Sequence, residues 1–251
     1  LFSPCVLINC IIMVIIQITD LHIAALGTHA NGVDTLANFN QILGRVEADE
    51  QADLIVISGD ICFQDPVEEV YHHVKSMLDS KPFDYKVIGG NHDDSKMISQ
   101  IFTGTESLEY FYEYKGMIFL DTVQGSMSTN QWQWLEHKLT SHQDSKVYIF
   151  MHHPPRKSMV PHIDDRYAFT QIDEFNDLLD KFSHLSFYIF TGHYHVERSM
   201  QYKNCHLFIT PSCFLQIADT SPEFIVDHYV PAYRRIVIED DLFLSTVKYL
   251  L

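Results

Sequence analysis

The chain has 251 residues, 46% of them apolar, which is enough to bury a sizeable hydrophobic core. Lysine and arginine total 17 against 33 acidic residues, so the formal net charge at pH 7 is −16. This charge is opposite in sign to the basic surface that long nucleic acids and anionic membranes attract, and we expect neither of them as a partner.

The N-terminal segment has more than one interpretation. Residues 6–18 are almost wholly apolar, which is typical of a signal segment, a membrane segment or a buried strand. No lysine or arginine precedes this run and no small-residue cleavage site follows it, so we favour a strand. Since the first methionine in the sequence is Met13, we expect residues 1–12 to be a leader or an added extension. Residues 13–251 would then form a single domain.

Short β-branched or aromatic runs alternate with helix-period stretches along most of the chain. The predicted strands are residues 14–19, 54–58, 85–88, 117–121, 146–151 and 185–191. The predicted helices are residues 33–48, 66–80 with Pro66 in the first turn, 130–140 with Asn130 as cap, and 171–182. After Gly192 the pattern predicts hairpin strands at 197–202, 205–210, 232–239 and 242–249, with turns at Lys203–Asn204 and Asp240–Asp241. The order indicates an α/β fold with one or two mixed sheets flanked by helices.

The five cysteines are odd in number and contain no CxxC pair. In a domain of this size such a set favours reduced thiols over a disulfide framework. We therefore expect a cytoplasmic protein.

Side chains with oxygen or imidazole donors follow five of the predicted strands. They occur in Asp20-Leu21-His22, Gly59-Asp60, Gly90-Asn91-His92-Asp93, His152-His153-Pro154 and Gly192-His193-Tyr194-His195. In α/β folds ligands collect beyond the carboxyl ends of the strands, and donors two residues apart on an extended backbone point to the same side. We therefore expect these segments to converge on one site.

The donors are of the types that bind transition metals. Seven are available: Asp20, His22, Asp60, Asn91, His152, His193 and His195. A single ion takes fewer ligands, whereas seven donors and water suit two ions that share a carboxylate, as in two-metal hydrolytic sites. Carboxylates and imidazoles without cysteine favour manganese, iron, zinc or cobalt over calcium.

The ordered series DxH, GD, GNH(D), HH(P) and GHxH resembles the calcineurin-like metallophosphoesterase superfamily, and it extends from Asp20 to His195. A narrower resemblance is to the bacterial cyclic-nucleotide phosphodiesterases, and to the cAMP phosphodiesterases in particular. It is carried by residues 18–22, His152-His153-Pro154-Pro155, Thr210-Pro211-Ser212-Cys213 with Gln216, and Tyr233-Arg234. The chain departs from that branch at Ala232, where a glycine is expected.

The resemblance implies a four-layer α-β-β-α sandwich of two mixed sheets with a dimetal site at the strand carboxyl ends. It implies two sets of ligands for iron or manganese, with zinc or cobalt as alternatives. One set is Asp20, His22, Asp60 and His195, and the other is Asp60, Asn91, His152 and His193, with Asp60 bridging.

The activity implied is hydrolysis of a 3′,5′-cyclic nucleotide, above all cAMP, to the 5′-monophosphate by in-line attack of a hydroxide between the two ions. Asp60, Asn91 and His92 are the expected catalytic residues. His92 would protonate the leaving oxygen, and Asn91 and His92 would contact the phosphate. Two roles remain open for His153, as a support behind the site or as a contact for substrate.

Other functions remain open. The chain could cleave other small phosphoesters, as a nucleotide pyrophosphatase, a 2′,3′-cyclic phosphodiesterase or a phosphomonoesterase. It could also be a metal-binding scaffold that has lost its chemistry, although all seven donors and His92 are present. Residues 156–170 either line the pocket or form a solvated connector. Whether the protein forms a homodimer is also open.

Overall fold

The computed structural model describes residues 12–239 and 242–251. The strands of this part are β1 Met13–Ile18, β2 Leu54–Ser58, β3 Asp84–Ile88, β4 Tyr112–Tyr114, β5 Met117–Phe119, β6 Lys146–Phe150, β7 Ser186–Thr191, β8 Arg198–Tyr202, β9 Cys205–Ile209, β10 Gln216–Ile217, β11 Val226–His228, β12 Ala232–Ile238 and β13 Phe243–Tyr249. The helices are α1 Thr35–Asp49, α2 Glu68–Asp79, α3 Ser95–Thr103, α4 Thr129–Thr140, α5 Pro161–Arg166 and α6 Ile172–Lys181. Within these residues no helix is long and apolar enough to cross a bilayer.

Two mixed sheets contain most of the strands. The first has the order β13-β12-β1-β2-β3, in which β1, β2 and β3 are parallel and the other pairs antiparallel. The second has the order β4-β5-β6-β7-β9-β8, in which β4 and β8 run antiparallel at the edges of a parallel centre. Strands β10 and β11 pair in a separate ribbon. The carboxyl ends of the central parallel strands therefore lie along one edge of each sheet.

The layers follow from the alternation of buried side chains along each strand. In β1, Ile16 and Ile18 pack with the buried faces of α1, α2 and α3. Ile15, the residue before Ile16, faces the other way and packs with Phe150 and Phe190 of the second sheet. The outer face of the second sheet is covered by α4, α5 and α6. This arrangement confirms the α-β-β-α sandwich of two mixed sheets.

Most predicted elements are observed, with ends that shift by one or two residues. The Lys203–Asn204 turn joins β8 to β9, and Lys203 has a left-handed φ of 49°. Two helix starts were wrong. Helix α4 begins at Thr129, because the side chain of Ser128, not of Asn130, accepts the backbone N–H of Gln131. Pro66 lies before α2, whose N-cap is Val67.

Other elements were not predicted, or cannot be compared. Helices α3 and α5 and strands β10 and β11 were missed, the strands because two or three residues show no periodicity. The Asp240–Asp241 turn lies outside the described residues. So does the expected leader at residues 1–12, apart from Ile12.

A buried polar network joins the two sheets beneath the predicted site. Gln17 of β1 donates to Ser58 Oγ at 2.8 Å and accepts from the hydroxyl of Thr210 at 2.6 Å. Arg234 of β12, only 2% exposed, donates Nε–H to Thr210 Oγ1 at 2.8 Å and a second N–H to the carbonyl of Ile209 at 2.8 Å. Burial lowers the pKa of Arg234 to about 10, so it stays charged at neutral pH. The network fixes the relative position of the two sheets.

Arg234→Met keeps most of the side-chain volume but removes the N–H donors, which leaves buried oxygens without partners. We expect the free energy of unfolding to fall by about 1–3 kcal/mol. Arg45→Met is a suitable control, because Arg45 is exposed and its i,i+4 pair with Asp49 is worth about 0.5 kcal/mol or less. Urea unfolding of both variants would measure the difference. Equal effects would show that the network adds no stability.

Candidate metal centre

Loops at the carboxyl ends of five strands, β1, β2 and β3 of the first sheet and β6 and β7 of the second, converge on one site. Asp20 and His22 follow β1, and Asp60 follows β2. Asn91 and His92 follow β3. The imidazoles of the second sheet are His152, which follows β6, and His193 and His195, which follow β7. All but Asn91 and His92 are buried.

The backbone of this site is strained. Five of the seven predicted ligands have positive φ angles between 45° and 67°, which non-glycine residues rarely adopt. They are Asp20, His22, Asp60, His193 and His195. Backbone hydrogen bonds hold the loops in place, for example from Asp20 N–H to the carbonyl of Gly59 and from His22 N–H to that of Asp60, both 2.9 Å. Such strain clusters at functional sites, where the surrounding fold maintains it.

Close approach of the loops also requires glycine at position 90. A Cβ built on Gly90 would overlap the carboxylate of Asp60 and lie 2.7 Å from Nε2 of His152. The glycine therefore lets the loop after β3 reach the donors that follow β2 and β6.

The first cluster consists of Asp20, His22 and His195, whose ligand atoms lie within 4.8 Å of one another. Nε2 of His195 is 3.0 Å from Nε2 of His22 and 3.2 Å from Oδ1 of Asp20. The Nδ1–H of His195 donates to the carbonyl of Leu215 at 2.9 Å. In the neutral ring this leaves the lone pair of Nε2 facing a carboxylate and a second imidazole, an arrangement that a cation stabilises.

The second cluster consists of Asp60, His152 and His193. His152 donates Nδ1–H to the carbonyl of Ser58 at 2.9 Å and places Nε2 3.3 Å from Oδ2 of Asp60. His193 donates Nε2–H to the carbonyl of Tyr167 at 2.8 Å, which leaves Nδ1 free to act as a ligand. Backbone carbonyls thus set the tautomer of each ring, as they do for metal-binding histidines.

Asp60 lies between the two clusters. Its Oδ2 is 3.6 Å from Nε2 of His22 in the first cluster and 3.3 Å from Nε2 of His152 in the second. Its Oδ1 accepts the backbone N–H of His92 at 2.9 Å. Asn91 is exposed and lines the same pocket. The structure therefore brings six of the seven predicted donors into two triads and places the seventh beside them.

The charges of the cluster residues also suit cations. Burial raises the pKa of Asp20, but the imidazoles of His195 and His152 outweigh it and lower the pKa to about 2. Burial likewise raises the pKa of Asp60, but His152 and His22 hold it well below its usual range. Burial lowers the pKa of His22 to about 3. It also lowers that of His193, with a contribution from His152, to about 4. The two carboxylates are thus ionised, and the imidazoles of His22 and His193 are neutral.

One buried atom indicates that the protein alone does not satisfy the site. Nε2 of His152 is fully buried and, although Oδ2 of Asp60 lies 3.3 Å away, no group among the described residues has the geometry of a hydrogen bond to it. Burial lowers the pKa of His152, but Asp60 and Asp20 outweigh it and raise the pKa to about 9. A bound metal ion would account for the buried Nε2 and would remove the rise in pKa, because it neutralises the carboxylates and takes the lone pair of the imidazole. The residues present fit two metal ions, and the two triads indicate a binuclear centre.

The other predicted residues lie at the edges of this centre. His92 is half-buried, lines the pocket and donates Nδ1–H to the carbonyl of Gln64 at 2.7 Å. His153 is buried and lies 3.1 Å from the hydroxyl of Thr122 through Nδ1, with its ring centroid 4.2 Å from that of His193. It is not among the described residues that line the pocket. This position favours support of His193 over substrate contact.

Asp93 is a supporting residue that the sequence did not reveal. Its carboxylate accepts N–H groups of Ile61 and Gly90 at 2.9–3.1 Å, together with the hydroxyl of Tyr71 at 3.1 Å. It thereby ties the loop that carries Asp60 to the loop that carries Asn91 and His92. Burial, with the nearby charge of Asp60, raises its pKa to about 6. Asp93 stands in the GNHD segment, but no sequence pattern distinguishes a buried acceptor there from an additional ligand.

The centre opens into a cavity of about 340 Å³. Ligands and His92 form its inner end, and mainly apolar and aromatic side chains form its walls. The wall residues are Asn31, Phe63, His162, Ile163, Tyr167, Phe214, Leu215, Ile217 and Phe224. Residues 156–170 contain helix α5 and contribute three wall residues, His162, Ile163 and Tyr167. This stretch therefore lines the pocket and is not a solvated connector.

Comparison with known proteins agrees with this geometry. A family model described as calcineurin-like phosphoesterase matches residues 13–197. The chain is 29% identical over 227 residues to a probable cyclic nucleotide phosphodiesterase of Fibrobacter succinogenes, covering 88% of this chain and 87% of the relative. It is 28% identical over 243 residues to the 3′,5′-cyclic adenosine monophosphate phosphodiesterase of Escherichia coli, covering 92% and 87%.

Another relative carries a different name. A probable glycerophosphodiester phosphodiesterase of Arcobacter nitrofigilis is 28% identical over 238 residues, covering 86% of this chain and 85% of the relative. Among solved structures, a dimetal phosphatase from Danio rerio superposes with a TM-score of 0.64 at 15% identity, covering 93% of this chain and 98% of that one. The family match spans most of the chain and includes both triads. The chain therefore belongs to the calcineurin-like phosphoesterase family and is a metallophosphoesterase.

Proposed function

We propose that this protein hydrolyses small phosphodiesters, with 3′,5′-cyclic nucleotides, above all cAMP, as its substrates. The observation that carries the proposal is the pair of Asp/His triads at the inner end of an aromatic-walled pocket, with His92 beside them. The names of the relatives in Fibrobacter succinogenes and Escherichia coli support the choice of a cyclic nucleotide. The products would be 5′-nucleoside monophosphates.

In the proposed centre two overlapping sets of residues would hold the ions. Asp20, His22, Asp60 and His195 would hold one ion, and Asp60, Asn91, His152 and His193 would hold the other. Bound ions supply positive charge for the phosphate oxygens and make water at the site acidic enough to be a nucleophile near neutral pH. The local charge also explains how a protein of net charge −16 binds an anion.

The chain's own residues position the substrate and handle the leaving-group proton. His92 is held through Nδ1–H by the carbonyl of Gln64, so Nε2 is free to carry the proton that goes to the leaving oxygen. In this step a P–O bond would form to the oxygen of water, which loses a proton to solvent, while the bond from phosphorus to the 3′ ribose oxygen breaks and that oxygen takes the proton from His92. Asn91, at the exposed edge of the site, contacts the phosphate.

Glycerophosphodiesters are a second candidate class of substrate. The relative in Arcobacter nitrofigilis, at 28% identity, carries that name. The triads would act in the same way on such a diester, so the walls of the pocket must decide between the two classes.

A substrate panel tests the proposed activity. With Mn²⁺ or Fe²⁺ present, we expect hydrolysis of cAMP at a higher kcat/KM than that of 2′,3′-cyclic AMP, glycerophosphoethanolamine or bis(4-nitrophenyl) phosphate. Rapid cleavage of the artificial diester with no cleavage of any cyclic nucleotide would exclude the cyclic-nucleotide activity and favour the general diesterase.

His92→Ala tests the proton donor. We expect both metal ions to remain bound, because His92 is outside the two proposed ligand sets, while kcat falls about 100- to 10,000-fold. Metal content by mass spectrometry and steady-state kinetics measure the two effects. His72→Ala, on the exposed face of α2, is the matched control. A normal rate in His92→Ala would remove this residue from the mechanism.

Metal titration of the metal-free protein tests the centre itself. We expect two ions per chain. Since the pKa of His152 is about 9, binding at pH 7 releases its proton, and affinity rises with pH until about pH 9. Calorimetry in buffers of different ionisation enthalpy counts the protons released. One ion per chain, or binding without proton release, would contradict the proposed ligand sets.

A further inference from the structure

Aromatic rings line the pocket from its inner end to its mouth. At the inner end, the ring centroid of Phe214 is 5.5 Å from that of His22 and 6.0 Å from that of Phe63. At the mouth, the ring of His162 is 5.7 Å from both Tyr167 and Phe224. An apolar aromatic surface therefore runs outward from the first triad.

The rings at the mouth are unusually exposed for their size. Tyr167 is 53% exposed and Phe224 is 50% exposed, although both line the cavity. Tyr167 belongs to residues 156–170, here called the α5 arm. Phe224 belongs to residues 218–225 between β10 and β11, here called the β10–β11 arm. Large aromatic side chains left half in water at a pocket mouth are typical of a binding surface.

Two arginines fasten these arms to each other. Arg166 of the α5 arm donates to the carbonyl of Pro222 at 2.6 Å and lies 3.5 Å from the carboxylate of Glu223. Arg198 of β8 donates to the carboxylate of Asp219 and to the carbonyl of Ser158, both at 2.5 Å. Each arginine thus connects the two arms, and the rings are held in place before any ligand binds.

The α5 arm is also fastened to the metal centre. The carbonyl of Tyr167 accepts Nε2–H of His193 at 2.8 Å. The carboxylate of Asp164 accepts the hydroxyl of Tyr194 at 2.8 Å and the backbone N–H of Ser158 at 2.8 Å. The backbone that carries the ring of Tyr167 is therefore held against a proposed metal ligand.

We propose that Tyr167, Phe224 and His162 form a subsite for the flat heterocyclic base of a nucleotide whose phosphate lies at the metal centre. This inference rests on the proposed phosphodiesterase function and names what selects the substrate. Every base has a π-face that stacks on aromatic side chains, whereas a glycerol or ethanolamine group has none. The subsite therefore favours nucleotides over aliphatic diesters.

Binding measurements test the subsite without catalysis. We expect the wild-type protein to bind 5′-AMP at least about 5-fold more tightly than ribose 5-phosphate, and Phe224→Ala and Tyr167→Ala to reduce that preference. Both variants keep the backbone carbonyl of residue 167, and both side chains are exposed, so the fold is retained. Equal affinity of the wild type for the two ligands would overturn the subsite.

Kinetics provide the second test. The ratio of kcat/KM for cAMP to that for glycerophosphoethanolamine should fall about 5- to 150-fold in Phe224→Ala, chiefly through KM, and recover in Phe224→Tyr. Tyr229→Ala is the matched control, because Tyr229 is equally exposed but does not line the cavity. An unchanged ratio in both Phe224→Ala and Tyr167→Ala would overturn the proposal.

The two tests separate the subsite from the activity. Preference for 5′-AMP that depends on Phe224, in a protein that does not hydrolyse cAMP, would refute the proposed function and leave the base subsite standing. Hydrolysis of cAMP without any preference for 5′-AMP over ribose 5-phosphate would support the proposed function and refute the base subsite.

Discussion

Two buried carboxylates set the central constraint on this molecule. Asp20 and Asp60 are withdrawn from water at the junction of the two sheets, and both remain ionised. Burying an anion is costly unless a compensating charge lies close to it. The imidazoles of His22 and His193 stay neutral and offer lone pairs, while the raised pKa of His152 reflects its closeness to both carboxylates. These donors fit metal cations, and the strained loops that carry them are typical of functional sites.

The two-sheet architecture is what makes this convergence possible. Each triad takes residues from both sheets, so neither sheet could form the centre alone. The buried network of Gln17, Thr210 and Arg234 holds the two sheets together directly beneath the triads. The carboxylate of Asp93 likewise holds together the loops after β2 and β3. Stability and metal geometry therefore depend on some of the same hydrogen bonds.

The proposed function places the chemistry and the choice of substrate in different parts of the molecule. The triads and His92, which lie on short loops fixed by the sheets, would act on the phosphodiester group that all the candidate substrates share. The pocket walls come from the α5 arm and the β10–β11 arm, which Arg166 and Arg198 hold together. This separation fits the relatives, whose names differ in substrate while their identities to this chain are nearly equal. Under this proposal, side-chain changes in the arms that keep the carbonyl of Tyr167 in place would change the substrate without displacing His193.

The sequence by itself determined the α/β class, most of the strands and the set of donor residues. This was possible because buried strands have a strong local pattern and because DxH, GD, GNHD, HH and GHxH each follow a strand end. It did not identify Asp93 or the proposed base subsite, and it left two roles open for His153. Those depend on contacts between residues far apart in the chain, such as Tyr167 with His193 and Arg166 with Pro222. Local periodicity carries no information on such contacts, since only the packing of the two sheets and their loops brings these groups together.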